Sequence, residues 1–396
     1  MERAPHVLIA GGGLSGLCLA QGLRQAGHTV EVFERDPDHS RRTGYMLHMN
    51  AYGGGGLRTC LPDDLYELYL ETSRATPERR QSIVLDSALN ELSSQPHLGP
   101  PNDGPRPHTG VHRRTLRQIL LHGLDVQLGR PAVGYEEDGD RVVLRLADGG
   151  SAEGDVLVGA DGIRSAIRAQ RLPHVPVIEA GVDGIGVFGR SPVTPDIPSL
   201  LLQGVIIVAD RRGNRLLLGS FVPRREIAAA GRAAGVALEP VEPYLMVSGT
   251  LMPGTAVPPA REWTAETAPM LRDSMSRVVA DWHPALRGIV ARTDLESMFA
   301  IPFGRLDPPQ AWEPSRVTLI GDAAHAMLPT LGMGANLSLR DAGALCERLV
   351  AGGDVVAAIG DYEREMRDVA YPLMRMAAEH DKHFGGGGLQ REPQHA

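Results

Sequence analysis

An α/β fold is what this sequence predicts: a Rossmann-like nucleotide-binding domain, a β-sheet-rich domain inserted into it, and a closing C-terminal helix. Three observations carry that expectation. A short apolar strand, His6 to Ala10, runs straight into glycines 11, 13 and 16 of a G-x-G-x-x-G turn and then into a helix. A second buried-strand pattern, Val317 to Ile320, stops at Gly321-Asp322 and is followed by a helix opened by Gly332-Met333-Gly334. Between Val175 and Ala300 the pattern changes to short strand-like runs separated by turns, which marks a separate sheet.

The N-terminal unit reads in order. Gly11 permits the tight turn, Gly13 lets bare backbone approach a pyrophosphate, and Gly16 lets helix and strand pack closely, with Ser15 among them. Leu14 to Ala26 reads as the helix, ended by Gly27, and Thr29 to Phe33 as the second strand. Glu34 stands at the end of that strand, where a carboxylate grips an adenosine ribose, and Arg35 beside it suits the adenine or its phosphate. Strand, turn, helix, strand and acid in register make a far stronger signal than the glycines alone.

The next segment contains GYMLHMNAYGGGGL. Four glycines at 53–56 are costly in a helix interior, so the expectation is a flexible entrance, or a helix starting only at Leu57. His48 and Asn50 are polar residues placed to face a ligand there. Ser82–Leu85 is strand-like, Pro96–Pro107 a loop, and Arg113 leads a helix that runs through Leu124. Val142–Leu146 and Ser151–Val156 alternate around Asp148-Gly149, a hairpin signal. The buried strand Val156-Leu157-Val158 then delivers Asp161 and Gly162 to its end, with Ser165 and Arg168 on the following helix. An Asp so placed also suits a plain helix cap.

In the insertion, Gly186–Arg190, Gly204–Ala209, Arg215–Phe221 and Tyr244–Gly249 read as strands, and Arg225–Ala234 and Thr267–Ala280 as helices. Beyond it, Asp322 ends a strand where open α/β sheets bind ligands. The helix opened by Gly332 and Gly334 offers bare N–H groups and a dipole that favours negative charge. Pro329 is a rigid spacer between them. Ala357 to Ala378 reads as the closing helix, and 385–396 as a disordered Gly-rich tail.

The order GDAAH, Pro329, Gly332-x-Gly334-x-Asn336 resembles the second flavin motif of the single-component aromatic monooxygenases, the p-hydroxybenzoate hydroxylase-like flavoproteins. Asp161-Gly162-x-x-Ser165-x-x-Arg168 resembles their third motif. The R-x-x-L step at Arg113 resembles the helix whose arginine reaches the FAD pyrophosphate, and GYMLHMNA resembles the stretch beside the isoalloxazine. The resemblance implies noncovalent FAD held by Gly11, Gly13, Ser15, Gly16, Glu34, Arg35, Arg113, Asp161, Gly162, Asp322, Gly332, Met333, Gly334, Ala335 and Asn336. Pro329, Gly332 and Gly334 then form the flavin environment, with His48 or Tyr45 as candidate bases.

It further implies transient reduction by NADPH or NADH and a C4a-hydroperoxyflavin that places one atom of O2 on a small organic substrate. The expected reaction is hydroxylation of an aromatic or polycyclic, polyketide-like compound, with Baeyer-Villiger insertion or epoxidation as the alternative. A flavin halogenase needs a catalytic lysine, and the sole lysine is Lys382; a non-catalytic FAD-binding protein is the remaining rival. Phe221, Met252, Met298 and Phe303 are candidates for an apolar substrate pocket. The expected division assigns 1–71, 101–175 and 299–384 to the FAD-binding domain, and 72–100 and 176–298 to the substrate-binding domain.

Composition bounds the partners. The 396 residues are 42% hydrophobic and 22% charged, with a net charge of −8. This argues against general nucleic-acid binding and against a polybasic membrane patch. Cys18, Cys60 and Cys346 are scattered and lack metal spacing, which suggests a reducing compartment and no structural metal. No apolar run reaches spanning length, and the strand beginning by Val7 leaves no room for a signal peptide. A cytoplasmic monomer or homodimer is the expectation.

Overall fold

A computed structural model describes residues 4–38, 44–77, 79, 81–101, 109–179, 185–250 and 266–384. Its N-terminal and C-terminal segments build one parallel sheet, in the order Val317–Leu319, Val156–Gly159, Val7–Ala10, Val30–Phe33, Val126–Gln127. The strands Val7–Ala10 and Val156–Gly159 are continuous apolar runs because both faces of a parallel sheet are covered, whereas Val30–Phe33 carries Glu31. Val7–Ala10 and Val156–Gly159 are indeed buried at every position. The helix Leu14–Gln25 packs against the helices Ala51–Cys60 and Gly334–Ala351. The Asp148-Gly149 hairpin forms as expected, with Ser151–Gly154 antiparallel to Arg141–Leu146 and Gly149 at φ 83°. A third strand, Ala132–Asp138, extends it.

The glycines at 53–56 correct the sequence expectation. They form no flexible entrance but lie inside the helix Ala51–Cys60, whose N-cap Asn50 accepts from Tyr52 N at 3.0 Å. The reason is the facing helix Gly334–Ala351. A Cβ on Gly56 would overlap the Leu339 carbonyl, and one on Gly53 would come within 2.6 Å of Asn336 Oδ1. Facing them, a Cβ on Gly343 would sit 2.9 Å from Gly56 Cα. The helices therefore cross at backbone contact, and that packing offsets the propensity lost by glycine. Cys18, Cys60 and Cys346 meet at the same crossing as buried free thiols, and thiol–thiol hydrogen bonding, followed by burial, pushes Cys60 and Cys346 up.

The second sheet has seven strands in the order Asp294–Pro302, Ile185–Pro192, Tyr244–Thr250, Arg215–Phe221, Val205–Ala209, Gln81–Asp86, Glu91–Pro96. All pairings are antiparallel except that of Val205–Ala209 with Gln81–Asp86. One face carries Val187, Leu218, Val247 and Ala300 beneath the helices Ala268–Val278 and Pro284–Ala291. Strict alternation turns Phe188, Gly219, Met246 and Phe299 to the opposite face. That inner face meets the nucleotide-binding part, where Met46 lies against Gly219. The chain closes with the helix Val355–Phe384, longer than the sequence suggests.

Candidate functional site

The carboxyl ends of the parallel strands bring the three motifs together. Gly11 follows Val7–Ala10 at φ 116°, and a Cβ there would overlap the Ala160 carbonyl next to Asp161. Only glycine lets these two loops lie in contact. Gly16 has the same constraint, since its Cβ would strike the Gly11 carbonyl. Glu34, buried at the end of Val30–Phe33, accepts from Gly12 N at 2.8 Å and from Asp36 N at 2.9 Å. Its carboxylate thus spans the glycine turn, while Arg35 is exposed.

The third motif joins the second through Arg168, which is buried and whose Nη1 donates to the Ala323 carbonyl at 3.3 Å. Asp161 accepts from Ala166 N at 2.8 Å, and Ser165 caps the same helix by accepting from Arg168 N at 2.8 Å. The capping role weighed from sequence is therefore present, whatever else the Asp161 carboxylate does. Burial raises its carboxyl, and the Ser165 hydroxyl and the backbone N–H groups pull it back. Gly162 follows at φ 79°.

Asp322 occupies the start of the turn after Val317–Leu319. Water reaches its carboxylate, yet the protein packed about it raises its carboxyl by desolvation, against the attraction of His325 and Arg113. A carboxylate that is wetted but surrounded lies at the bottom of a crevice, where a ligand hydroxyl can displace that water. Gly334 is beside it: a Cβ there would meet only Asp322 Oδ1, at 3.9 Å, and one at Gly332 would meet nothing within 4 Å. The bare start of the helix is therefore open. Pro329 is exposed and Ala335 half-buried at this opening, whereas Met333 is buried beneath it. Asn336 is turned inward. Its Oδ1 accepts from Asn50 N at 2.9 Å, and its Nδ2 donates to the carbonyls of His48 at 2.8 Å and Gly332 at 3.2 Å. Its side chain fixes the helix start to the segment carrying His48.

Two groups escaped the sequence reading. His325, the last residue of GDAAH, and Asp341 are buried together with Nε2 and Oδ2 2.6 Å apart, and the same Oδ2 accepts from Gly321 N at 2.9 Å. Burial works against charge on His325, but Asp341 outweighs it and raises the imidazole above its ordinary value. This pair pins the turn that presents Asp322. Arg117, buried one turn beyond Arg113, donates from Nε to the Gly12 carbonyl at 3.2 Å. Arg113 itself is half-buried and acts on Asp322.

The inner face of the large sheet carries a cluster of aromatic side chains. Tyr45 stacks on Phe188 with ring centroids 5.2 Å apart, and Phe188 stacks on Phe299 at 5.3 Å with planes 8° apart. Phe303 lies over Gly186 on the same face. Of the other pocket candidates, Met298 is corrected: the pairing of Phe188 with Phe299 turns Met298 to the helix-covered face, where it packs in the second core. Phe221 faces inward but is fully buried between Tyr244 and His112, so it is core at the domain junction. Met252 lies outside the described residues. His48 is half-buried, its ring 4.3 Å from that of His97.

Comparison with known proteins bears on this geometry. The family described as FAD binding domain matches residues 308–377, and the family described as NAD(P)-binding Rossmann-like domain matches residues 9–44. A dual O-methyltransferase/FAD-dependent monooxygenase of Phaeosphaeria nodorum is 30% identical over 96% of this chain and 44% of its own length. The chain thus spans less than half of the curated relatives it matches first. The aurachin C monooxygenase/isomerase of Stigmatella aurantiaca is 27% identical, with 92% of this chain and 85% of that protein covered. Among solved structures, Klebsiella pneumoniae HpxO complexed with FAD and uric acid shares the fold at TM-score 0.74 and 22% identity, over 97% of this chain and 90% of that one. The chain is similar in sequence to FAD-dependent monooxygenases and shares the fold of solved FAD-binding oxygenases.

FAD is the cofactor that the matched FAD binding domain implies, and the residues present fit it. A cradle that excludes Cβ atoms at Gly11 and Gly16, an open bare helix start at Gly334, and the Glu34 and Asp322 carboxylates line one continuous run of strand ends. Among the described residues no helix is long and apolar enough to cross a membrane, and no cluster suits a metal.

Proposed function

We propose that this chain is an FAD-dependent monooxygenase that consumes NADPH or NADH and O2 and hydroxylates an aromatic or polycyclic, polyketide-like compound. Two observations carry the reading: the open helix start beside Asp322, and the aromatic inner face of the large sheet, where Phe188 and Phe299 stack with Tyr45. Stacked rings offer a flat, apolar surface on which another ring packs well. Two-electron activation of O2 is the chemistry that bound FAD supplies. The overall balance is substrate, O2, NAD(P)H and a proton going to hydroxylated substrate, water and NAD(P)+.

The chain's own residues bind, orient and exclude water. Glu34 and Asp322 hold cofactor hydroxyls, and Gly11, Gly13, Ser15 and Gly16 surround the pyrophosphate with Arg113, Asp161 and Gly162, while Arg35 flanks the adenine end. The helix start at Gly332, Met333, Gly334, Ala335 and Asn336 favours negative charge on the ring edge. Pro329 shapes the face toward substrate, and His48 is the candidate base. Residues 1–71, 101–175 and 299–384 form the FAD-binding domain in this reading, and 72–100 with 176–298 the substrate-binding domain. A cytoplasmic monomer or homodimer completes it.

The test is a screen of NADH and NADPH oxidation by FAD-loaded protein over phenols, polyketides and cyclic ketones, with product mass read for one added oxygen. Substrate-stimulated oxidation with a product heavier by one oxygen on an aromatic ring is expected. Oxygen insertion only beside a ketone would replace hydroxylation by the Baeyer-Villiger reaction, and no oxygenated product at all would remove the reading.

A further inference from the structure

The turn that presents Asp322 is held by a buried imidazole. His325 and Asp341 are both fully buried, with Nε2 and Oδ2 2.6 Å apart. The same Oδ2 accepts from Gly321 N at 2.9 Å. Asp341 therefore ties the turn 321–325 at both ends, with Asp322 between the ties. The Gly321 carbonyl closes the turn from within, accepting from Ala324 N at 2.9 Å and His325 N at 3.0 Å. Gly321 is itself wedged in place, since a Cβ there would lie 2.8 Å from Ser338 Oγ and 3.1 Å from Ser15 Oγ. The second ring nitrogen of His325, Nδ1, has no partner beyond the carbonyl of His325 itself. A proton on Nε2 is thus firmly held by Asp341, and one on Nδ1 is held weakly.

We propose that His325 is a proton-linked positioning residue of the cofactor site: FAD is gripped while His325 carries a proton on Nδ1, and the grip weakens as that proton leaves. The proposal rests on the placement of Asp322 against cofactor hydroxyls. Burial opposes charge on His325, but Asp341 outweighs burial, and Asp322 adds to the attraction. The benefit is returned to Asp322. Desolvation raises its carboxyl, His325 and then Arg113 pull it back, and Asp341 pushes it up again. One imidazolium thus serves two carboxylates on one turn. When the Nδ1–H bond breaks, its electron pair stays on nitrogen and the proton passes to water, while Nε2–H remains on Asp341. Asp322 and Asp341 then repel each other uncompensated, in surroundings where water cannot screen them. The turn that aims Asp322 shifts, and the pyrophosphate of FAD meets one more negative charge.

The other charged and titratable groups about the turn come from four helices. Arg168 Nη1 donates to the Ala323 carbonyl at 3.3 Å, and Arg113 acts on Asp322; both are guanidinium groups that keep their charge. Arg340, next to Asp341, is turned away to Glu365. On the closing helix, Tyr362 donates to the Leu319 carbonyl at 2.9 Å, and burial pushes its phenol well above the usual range. Glu363 beside it accepts from Thr318 Oγ1 at 2.8 Å, and burial raises its carboxyl. Glu363 is therefore the rival titrating group, and a His325 variant separates the two.

The test is the affinity of the full-length apoprotein for FAD, by fluorescence titration from about pH 6 to about pH 10. Proton uptake on binding is read by calorimetry in buffers of unlike ionisation enthalpy. In the parent, affinity is level on the acid side, where His325 is charged with and without FAD. It falls as pH rises through the titration of His325, at up to about tenfold per pH unit, and binding there takes up a proton. His325→Gln keeps an N–H for Asp341 but carries no charge. Its affinity is on the order of tenfold weaker at neutral pH, changes no further with pH, and meets that of the parent at the alkaline end. Ionisations of FAD itself act on both proteins alike. Asp341→Asn keeps the test valid should His325→Gln disturb folding: it removes the attraction that retains the proton, so the fall begins at lower pH. Level affinity in the parent, a His325→Gln protein that follows the parent's fall, or an Asp341→Asn fall that is not displaced to lower pH overturns the proton link alone. Protein that binds no FAD at any pH overturns the placement of the cofactor on Asp322 as well.

Discussion

Neighbouring glycines in one helix give opposite expectations, and the contrast tests how the proposed flavin helix is held. Gly55 and Gly56 both lie inside Ala51–Cys60. Replacing an interior helical glycine by alanine ordinarily gains about 1 kcal/mol. At Gly55 the added Cβ meets nothing within 4 Å, so Gly55→Ala should stabilise by about 0.5–1 kcal/mol. At Gly56 the Cβ would overlap the Leu339 carbonyl, which is backbone of the facing helix and yields only if that helix shifts. Overpacking of this kind costs about 1–3 kcal/mol, and a backbone collision belongs at the upper end. Subtracting the propensity gain leaves Gly56→Ala destabilised by about 1–2 kcal/mol, or about 1.5–3 kcal/mol apart from its neighbour. Thermal unfolding followed by circular dichroism should show melting temperatures displaced in opposite directions, by roughly 2–4 °C per kcal/mol. Because the shifted helix begins at Gly334, Gly56→Ala should also release FAD at lower temperature. If both variants melt at or above the parent temperature, the helices do not cross through Gly56, and the account of the glycine run fails.

Asp322→Ala and Glu34→Ala should each weaken FAD binding on the order of 10- to 100-fold, since a charge-assisted hydrogen bond is worth about 1.5–3 kcal/mol. Fluorescence titration of apoprotein with FAD checks this, and unchanged affinity in both would mean the cofactor lies elsewhere. A third expectation concerns acid. Burial, helped by Arg190 and Arg114, pushes His112 down to about 3 from its ordinary 6.5. Between those values the unfolded chain binds the extra proton, so the contribution is fully present above about pH 6.5 and is lost as pH falls toward 3. The slope approaches roughly 1.4 kcal/mol per pH unit, the free energy of one pKa unit. His112→Gln should flatten that acid limb in denaturant unfolding, and an identical slope would show that His112 charges freely in the fold.

Local pattern made the nucleotide-binding half legible. The strands Val7–Ala10, Val30–Phe33, Val156–Gly159 and Val317–Leu319 are apolar runs punctuated by glycine or acid, and each was read to within a residue or two. The inserted sheet was read less fully. Asp294–Pro302 carries aromatic and apolar residues without a flanking turn signal, and Glu91–Pro96 is an exposed polar edge strand with little to distinguish it from loop. Both become strands through partners far away in sequence, which propensity alone does not reveal. The glycine run was misread for a related reason. Its helix is stabilised by a partner helix nearly 300 positions on, through the absence of side chains rather than by any favourable residue.

The site shows the same limit at single-residue scale. Asp322 was found because it ends a strand, whereas Asp341 sits mid-helix among Leu337, Leu345 and Leu349. An ionisable group there is costly unless it is paired, so its presence on an apolar face is itself a sign that a partner exists. The sequence does not say which partner. The fold supplies His325 at 2.6 Å and Gly321 N at 2.9 Å, and so gives the acid a purpose: it holds the turn on which Asp322 is presented. Met298 and Phe299 make the converse case. Both are plausible pocket residues as types, and one step of register assigns the first to the core and the second to the aromatic face. Chemistry-bearing residues at strand ends are thus readable because backbone geometry fixes where they point. Those within strands and helices wait on pairings that only the folded chain supplies.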